Sequence, residues 1–185
     1  MNIHTARASP ILVFTMPRSE LGAERTARVI AALAGRLAGG PIRLVISTDI
    51  WEAVRGELTK PHLADIPHDR PPAERHALFT AQRHDYWQSV RLAYMRRLDH
   101  GFEHCAGLVI LPRSDGTIGS GIFSEIAAAQ ARNVPVRVVR PDGHIVPLEV
   151  AGMIEAMVEE GKPDLAKGRY RVAAGFTLWG AASRP

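Results

Sequence analysis

Short apolar runs alternate with segments of helical periodicity along most of the chain. The run Ile-Leu-Val-Phe-Thr at residues 11–15 lies between two prolines and predicts a buried strand. Residues 19–37 carry apolar side chains at helical spacing, and Gly39 directly beyond them predicts the helix end. Residues 42–47 predict the second strand. A strand–helix–strand unit of this length is typical of a parallel sheet.

The middle of the chain changes character twice. Four prolines within residues 58–72 exclude a helix or a central strand there, and we expect a long surface loop. Residues 73–100 then show strong helical periodicity. A residue at every fourth position of this segment is large and apolar, which predicts one buried stripe made of Tyr86, Val90, Tyr94 and Leu98.

The most apolar run of the chain, Gly-Leu-Val-Ile-Leu at residues 107–111, predicts a strand that is buried on both faces. A polar, glycine-rich stretch follows at residues 113–121. Residues 122–132 predict a helix, residues 134–139 another strand, and residues 151–160 a last helix. Three aromatic residues of the tail are expected to be buried, on this chain or on a partner subunit: Tyr170, Phe176 and Trp179.

At least four strands that alternate with helices predict an α/β fold, an open and mostly parallel sheet with helices on both faces. In such sheets ligands bind outside the carboxyl ends of the strands. The expected pocket therefore combines residues 16–19, 48–51 and 112–125.

Length and composition favour one domain over residues 1–185, with the proline-rich loop inside it and residues 162–185 as a C-terminal extension. Hydrophobic residues make up 46% of the chain, enough for a sizeable core, yet no run reaches the roughly 18 apolar residues of a membrane span. Cys105 is the only cysteine, which excludes an intramolecular disulfide. Together with the absence of a signal-peptide pattern, this predicts a cytoplasmic protein with no membrane partner.

The formal charge of +4 comes from scattered basic residues rather than from a run of them. We therefore expect no nucleic-acid partner, whereas an anionic small molecule suits the charge balance. The histidines include His76 and His84, which are two helical turns apart instead of four residues, so no metal site is expected.

The glycine-rich stretch and the helix after it are the main candidate for chemistry. Glycines allow the backbone to approach a ligand, and the first N–H groups of a helix suit a phosphate or a ribose oxygen. The candidate binding residues are Ser114, Gly116, Thr117, Gly119, Ser120 and Gly121. Glu125 is expected in about the first helical turn, where an ionised carboxylate can attack a sugar carbon. The alternative is a helix glutamate beside a plain glycine-rich turn.

Four further residues are candidates, each with a structural alternative. Arg18 and Ser19 follow the first strand and could bind a 5′-phosphate, or serve as a solvated loop residue and a helix N-cap. Asp115 could bind a ribose hydroxyl or donate a proton, or open a turn. Asp99 lies near the end of the long helix, where the helix dipole disfavours a carboxylate unless a function or a partner explains it.

A family resemblance adds to these candidates. Ser-Gly-Ile-Phe-Ser-Glu-Ile at residues 120–126, an alanine-rich helix and a Pro-Val strand resemble the signature of nucleoside 2-deoxyribosyltransferases. The related 2′-deoxynucleoside 5′-phosphate N-hydrolases are similar, and in both an Asp precedes the Ala of the buried strand by seven residues, as Asp99 precedes Ala106 here. The resemblance implies a flavodoxin/Rossmann-like five-stranded sheet and a homodimer or higher homo-oligomer.

The same resemblance implies cleavage or transfer at the N-glycosidic bond of a nucleoside or nucleoside 5′-monophosphate. Glu125 would be the nucleophile, Asp99 or Asp115 would position the sugar or handle a proton, and no cofactor would be needed. The protein would then be an N-glycosidase or a nucleoside deoxyribosyltransferase.

Two other functions stay open at this point. Gly107 stands where the family has Asp, and the first-strand motif at residues 15–19 lacks the Gly that the family has there, which favours a nucleotide-sensing module without catalysis. A phosphoribohydrolase of the cytokinin-activating type also uses a glycine-rich loop and a Glu. Its Pro-Gly-Gly-x-Gly-Thr-x-x-x-Glu signature fits less well, because Glu125 follows Thr117 by eight residues and the paired glycines are missing.

Overall fold

A computed structural model describes residues 10–114, 116–140, 142–148, 156–157 and 169–171. The chain divides into two compact units. We call Met1–Ser47 together with Gly101–Pro185 the sheet unit, and Thr48–His100 the helical unit.

The described elements follow one another as β1 (Ile11–Thr15), α1 (Glu24–Leu37), β2 (Arg43–Ile46), α2 (Ser47–Glu57), α3 (Pro72–Phe102), β3 (Cys105–Ile110), β4 (Thr117–Gly119), α4 (Ser120–Ala131), β5 (Val136–Val139), β6 (Ile145–Pro147), β7 (Ala156–Met157) and β8 (Arg169–Arg171). Short 3-10 turns lie at Arg18–Glu20 and Leu63–Asp65. Within the described ranges, no helix is long and apolar enough to cross a membrane.

The main sheet has five strands in the order β2-β1-β3-β5-β6. The first four are parallel to one another, and β6 pairs antiparallel with β5 at one edge. The predicted α/β fold with a mostly parallel sheet is therefore confirmed. The crossover from β1 to β2 and the one from β3 to β5 run in opposite directions along the sheet. Because such crossovers are right-handed, their helices α1 and α4 belong on opposite faces.

The apolar core on one face of the sheet lies under α1. Leu33 of α1 is buried there, with Val29 and Ile30 packed beside it. The strands supply the rest of this cluster: Phe14, Met16, Val109, Leu111 and Val139. Leu108 and Ile110 alternate with Val109 along β3 and are fully buried as well. A strand buried on both faces was the prediction for this run, and it is confirmed.

Helix α1 begins five residues later than its periodicity predicts. Pro17 precedes the 3-10 turn, and Gly22 adopts a φ of +83°, so the chain cannot enter a regular helix before Glu24. The other end is as predicted, because Gly39 directly follows the C-cap residue with a φ of +77°.

The helical unit contains the predicted long helix, α3, whose stripe Tyr86, Val90, Tyr94 and Leu98 is buried. Val54 of α2 packs against Tyr86 and Val90, and the Tyr86 hydroxyl donates to the carbonyl of Arg55 at 3.3 Å. Residues 58–71 form the predicted loop apart from its short 3-10 turn.

Helix α2 was missed by the sequence interpretation, which treated residues 48–51 as a pocket loop. β2 ends at Ile46 and the helix begins at the next residue, so no linker separates them. The overlooked signal is Ser-Thr-Asp at the start of the segment, followed by Ile50 and Val54 at a spacing of four.

The C-terminal prediction needs a correction. A helix over residues 151–160 is wrong for Ala156–Met157, which form β7 and pair antiparallel with β8. β4 pairs with the other edge of β8, and this gives a second, three-stranded sheet. Tyr170 lies in β8, but its side chain is outside the description, and Phe176 and Trp179 lie outside the described residues altogether. The burial of these three aromatic residues therefore stays a prediction.

Candidate functional site

The carboxyl ends of β1 and β3 lie side by side at the centre of the main sheet. Thr15 is in register with Ile110, and the N–H of Leu111 donates to the carbonyl oxygen of Thr15 at 2.9 Å. Within the main sheet, the next strand along the chain after β1 is β2, beside β1 on one side, and the next after β3 is β5, on the opposite side. In open α/β sheets this reversal is where ligands bind.

A buried pair of hydroxyls lies at this edge and was not singled out from the sequence. The Ser47 Oγ donates to the Oγ1 of Thr15 at 3.0 Å, and both residues are almost completely buried. This contact connects the end of β1 with the residue after β2. Each hydroxyl has a hydrogen-bond partner in the other, so a structural role is enough to explain why these two polar groups are buried.

Backbone hydrogen bonds hold the described residues of the glycine-rich stretch in a turn and a short strand. The Arg113 N–H donates to Thr117 O at 2.9 Å, and the Gly116 N–H donates to Arg113 O at 2.9 Å, which closes a tight turn. Gly116 has a φ of +78°, which a side chain would strain. Thr117 and Gly119 then belong to β4, because β8 supplies hydrogen-bond partners that a local pattern cannot reveal.

The candidate residues of this stretch occupy different environments. Ser114 is exposed at the turn, whereas Gly116 and Thr117 are buried. Ser120 and Gly121 form the first turn of α4, with Gly121 exposed. Asp115 lies outside the described residues.

Arg113 is a residue that the sequence interpretation did not assign. Its guanidinium folds back over β4, with Nη1 donating to the Oγ1 of Thr117 at 3.3 Å. A Cβ at Gly119 would lie 3.7 Å from its Nη2. Gly119 is the N-cap of α4 and, as a glycine, has no side chain that could cap the helix. A half-buried cation therefore lies beside the start of this helix, where an anion is also favoured by the helix dipole.

Glu125 lies on the inward face of α4. Together with three apolar residues it forms the buried stripe at spacings of three and four: Ile122, Glu125, Ile126 and Ala129. Its exposed fraction is 6%, and among the described residues it is the only buried one with an ionisable carboxyl. It is the sixth residue of α4, in the second turn, so the expectation of a first-turn position needs correction. The dipole contributes less there than we expected.

Arg18 and Ser19 do not start a long helix. Both are exposed within the 3-10 turn, and the N-cap of α1 is Ala23 instead of Ser19. The alternative role of Ser19 as a helix N-cap is therefore wrong. Both residues lie within four positions of the end of β1 at the carboxyl edge of the sheet, and their role in binding stays a prediction.

Asp99 belongs to the helical unit, near the end of α3, and is half-buried. The aromatic residues of the same unit pack on one another. Trp51 stacks on Trp87 with ring centroids 6.4 Å apart and meets Tyr94 edge-on at 5.3 Å.

Cys105 is half-buried at the start of β3, and its thiol donates to Gly107 O at 3.0 Å. Burial raises the pKa of this thiol, and the backbone groups of Gly107 and Val13 oppose the shift in part. Such a thiol is a poor nucleophile at neutral pH. In the part of the chain that the structure describes, no group of three or more His, Cys, Asp or Glu residues is placed to hold a metal ion.

Comparison of the chain with known proteins finds no matching family model, no matching curated protein and no matching solved structure.

Proposed function

We propose that the chain cleaves or transfers the N-glycosidic bond of a nucleoside or nucleoside 5′-monophosphate, with Glu125 as the nucleophile. The observation that carries the proposal is the burial of this one carboxylate on the inward face of α4. The helix follows a buried central strand and a tight turn at the carboxyl edge of the sheet. The resemblance of residues 120–126 to the deoxyribosyltransferase signature supports the same assignment.

The strand order supports the location. A central β1 with β2 on one side and β3 on the other is the order of flavodoxin-like sheets, and we propose that this sheet is one of them. Their ligands bind beyond the carboxyl ends of the strands, where Thr15 and Leu111 meet. A substrate at this edge would lie near the start of α4.

The chemistry needs a carboxylate that is fixed and shielded from bulk water. In the proposed reaction a carboxylate oxygen of Glu125 attacks C1′ of the sugar, and the bond between C1′ and the base nitrogen breaks. The base leaves with that electron pair and takes up a proton. Water then attacks C1′ and restores the carboxylate, or a second base does so and the sugar is transferred. The residue that positions the sugar or handles the proton would be Asp99 or Asp115, as the resemblance implies.

Arg113 extends the proposal to the 5′-phosphate. Its guanidinium beside the N-terminus of α4 offers the charge and the donor geometry that a phosphate requires. We assign it this role in addition to the predicted contacts of Arg18 and Ser19. Replacing Arg113 by Gln should raise KM for monophosphates and leave KM for nucleosides unchanged.

The test is a panel of ribo- and deoxyribonucleosides and their 5′-monophosphates, incubated with the protein, with free base measured by chromatography. Glu125→Gln keeps the shape of the side chain and removes its charge, and should lower base release by about a thousandfold or more. Glu103→Gln is the control, because Glu103 is an exposed glutamate of the same unit. Circular dichroism should show both variants folded.

Undiminished base release by folded Glu125→Gln would contradict the nucleophile. Binding of a nucleotide by calorimetry with no release of base from any substrate would support the sensing module instead. Mass spectrometry of the quenched reaction adds a direct readout, since a covalent intermediate should add one sugar to the wild-type chain and none to Glu125→Gln.

A further inference from the structure

A cavity of about 340 Å³ lies between α1 and the β5–β6 hairpin of the sheet unit. Its size is within the range of small-molecule pockets. None of the described residues between Ser114 and Glu125 lines it. Its lining residues are Arg25, Arg28, Val29, Ala32, Arg36, Val139, Arg140, Asp142, Gly143 and Ile145.

The walls of this cavity are basic and its floor is apolar. Three arginines of α1 reach it because positions 25, 28, 32 and 36 fall on one helix face. The hairpin contributes Arg140 from the end of β5. Side chains of Val29, Val139 and Ile145 belong to the apolar cluster under α1 and form the floor.

Hydrogen bonds hold the backbone on both sides of the cavity. Arg140 N–H donates to His144 O at 2.8 Å, and Gly143 N–H donates to Arg140 O at 2.9 Å, so the hairpin turn is closed on both sides. The opposite wall is a regular helix of 14 residues. A site whose backbone is already hydrogen-bonded loses less conformational entropy when a ligand binds.

Acidic groups near the cavity neutralise it only in part. Asp142 lies 3.9 Å from the Nε of Arg140, and Glu24 lies 3.2 Å from Arg28 in a pair exposed on the helix surface. Exposed pairs of this kind contribute about 0.5 kcal/mol and yield readily to a better partner. Burial lowers the pKa of Arg25, and the nearby Glu20 raises it, which indicates a guanidinium partly withdrawn from water.

We propose that this cavity binds a small organic phosphate, a phosphate monoester on a compact apolar body. Guanidinium groups bind phosphate oxygens in pairs and keep their charge at every physiological pH. The apolar floor would cover the body of the ligand. The site is separate from the proposed reaction of Glu125 and does not depend on it.

Isothermal titration calorimetry with phenyl phosphate tests the proposal, and inorganic phosphate and phenol test its two halves. Phenyl phosphate should bind more tightly than either, and more weakly as salt is added. Arg140→Gln and Arg36→Gln should each weaken binding about tenfold. Arg137→Gln is the matched control, because this exposed residue of β5 changes the charge equally and does not line the cavity.

Ala32→Glu gives a second variant that does not remove an arginine. Ala32 is exposed on α1, and Glu is a good helix former, so the fold should persist while a carboxylate enters the site. It should abolish binding. Glu125→Gln should leave binding unchanged, which keeps this result independent of the proposed catalysis.

Three outcomes would overturn the inference. The first is no binding of phenyl phosphate to the wild type at millimolar concentration. The second is an equal loss of affinity in Arg137→Gln and in the cavity variants, which would mean general electrostatic attraction. The third is inorganic phosphate binding as tightly as phenyl phosphate, because the apolar floor would then contribute nothing.

Discussion

Gly107 in β3 is the position at which a single methyl group should disturb the centre of the sheet. It lies between β1 and β5, and a Cβ built on it would be 3.3 Å from Leu12 Cδ1 and 3.3 Å from the carbonyl oxygen of Pro135. The leucine methyl can rotate away. The carbonyl cannot easily move, because it accepts the Leu108 N–H at 2.9 Å in the ladder between β3 and β5.

The expected effect of Gly107→Ala combines two opposing terms. Overpacking in a well-packed core costs about 1–3 kcal/mol. The alanine also restricts the unfolded chain, which returns about 0.4–1 kcal/mol. We expect a net loss of about 1 kcal/mol in the free energy of unfolding, which lowers Tm by about 2–4 °C at this chain length. Gly107→Asp should lose about 3 kcal/mol or more, because it buries a carboxylate against a carbonyl oxygen.

Gly35→Ala is the control for this prediction. Gly35 is exposed within α1, and a Cβ there meets nothing within 4 Å. An alanine in a helix interior should therefore raise stability by about 0.5–1 kcal/mol. Urea denaturation followed by circular dichroism measures both variants. A Gly107→Ala protein as stable as the wild type would refute the close approach of the three strands.

Two further predictions concern burial. Val90→Ala removes a fully buried side chain from the cluster around Tyr86 and should lower the free energy of unfolding in urea by about 2 kcal/mol. Leu92→Ala on the same helix is the control, because Leu92 is 58% exposed, and should change it by less than about 0.5 kcal/mol. Similar losses in both variants would contradict the described packing of α3. The raised pKa of Cys105 means that the folded state holds the thiol proton to higher pH than the unfolded state. Alkylation of the native protein by iodoacetamide should therefore need higher pH than alkylation in urea, and folding stability should fall as pH rises above the ordinary thiol pKa of 9.0. Coincident pH profiles of alkylation in the two states would rule this out.

The fold could be predicted where the local pattern and the tertiary environment agree. β1 and β3 are continuous apolar runs because both faces of a central parallel strand are covered. The stripe of α3 repeats every four residues because one side of the helix is buried. In both cases the positions of the apolar residues follow directly from which faces of the element are buried.

The missed strands depend on distant partners. β4 has three residues, and its antiparallel partner β8 comes about fifty residues later in the chain. β6 is an edge strand of three residues that exists because β5 offers it a ladder. Windows of a few residues cannot contain this information.

The residues of the candidate site also differ in whether local sequence or distant contacts determine their placement. The spacing between Ser120 and Glu125 is local, so the inward carboxylate of α4 could be found from the sequence. The pair of Thr15 and Ser47 joins residues 32 positions apart and depends on the register of β1 and β2. The position of the Arg113 guanidinium beside Gly119 depends on the backbone hydrogen bonds of a turn, which the glycine-rich sequence does not reveal.

Among the described residues of the sheet unit, the buried hydroxyls and the buried carboxylate differ in how apolar their surroundings are. Thr26 donates from Oγ1 to Glu20 O at 2.7 Å, and Ser47 donates to Thr15, so these hydroxyls have structural partners within their own loops and strand ends. Glu125 differs because its three neighbours on the α4 stripe are apolar and its own position calls for an apolar side chain. A carboxylate costs free energy there compared with leucine or methionine. Sequences break their local pattern at functional sites more than elsewhere, and this is why we assign the chemistry to Glu125 and not to the exposed serines and glycines before it.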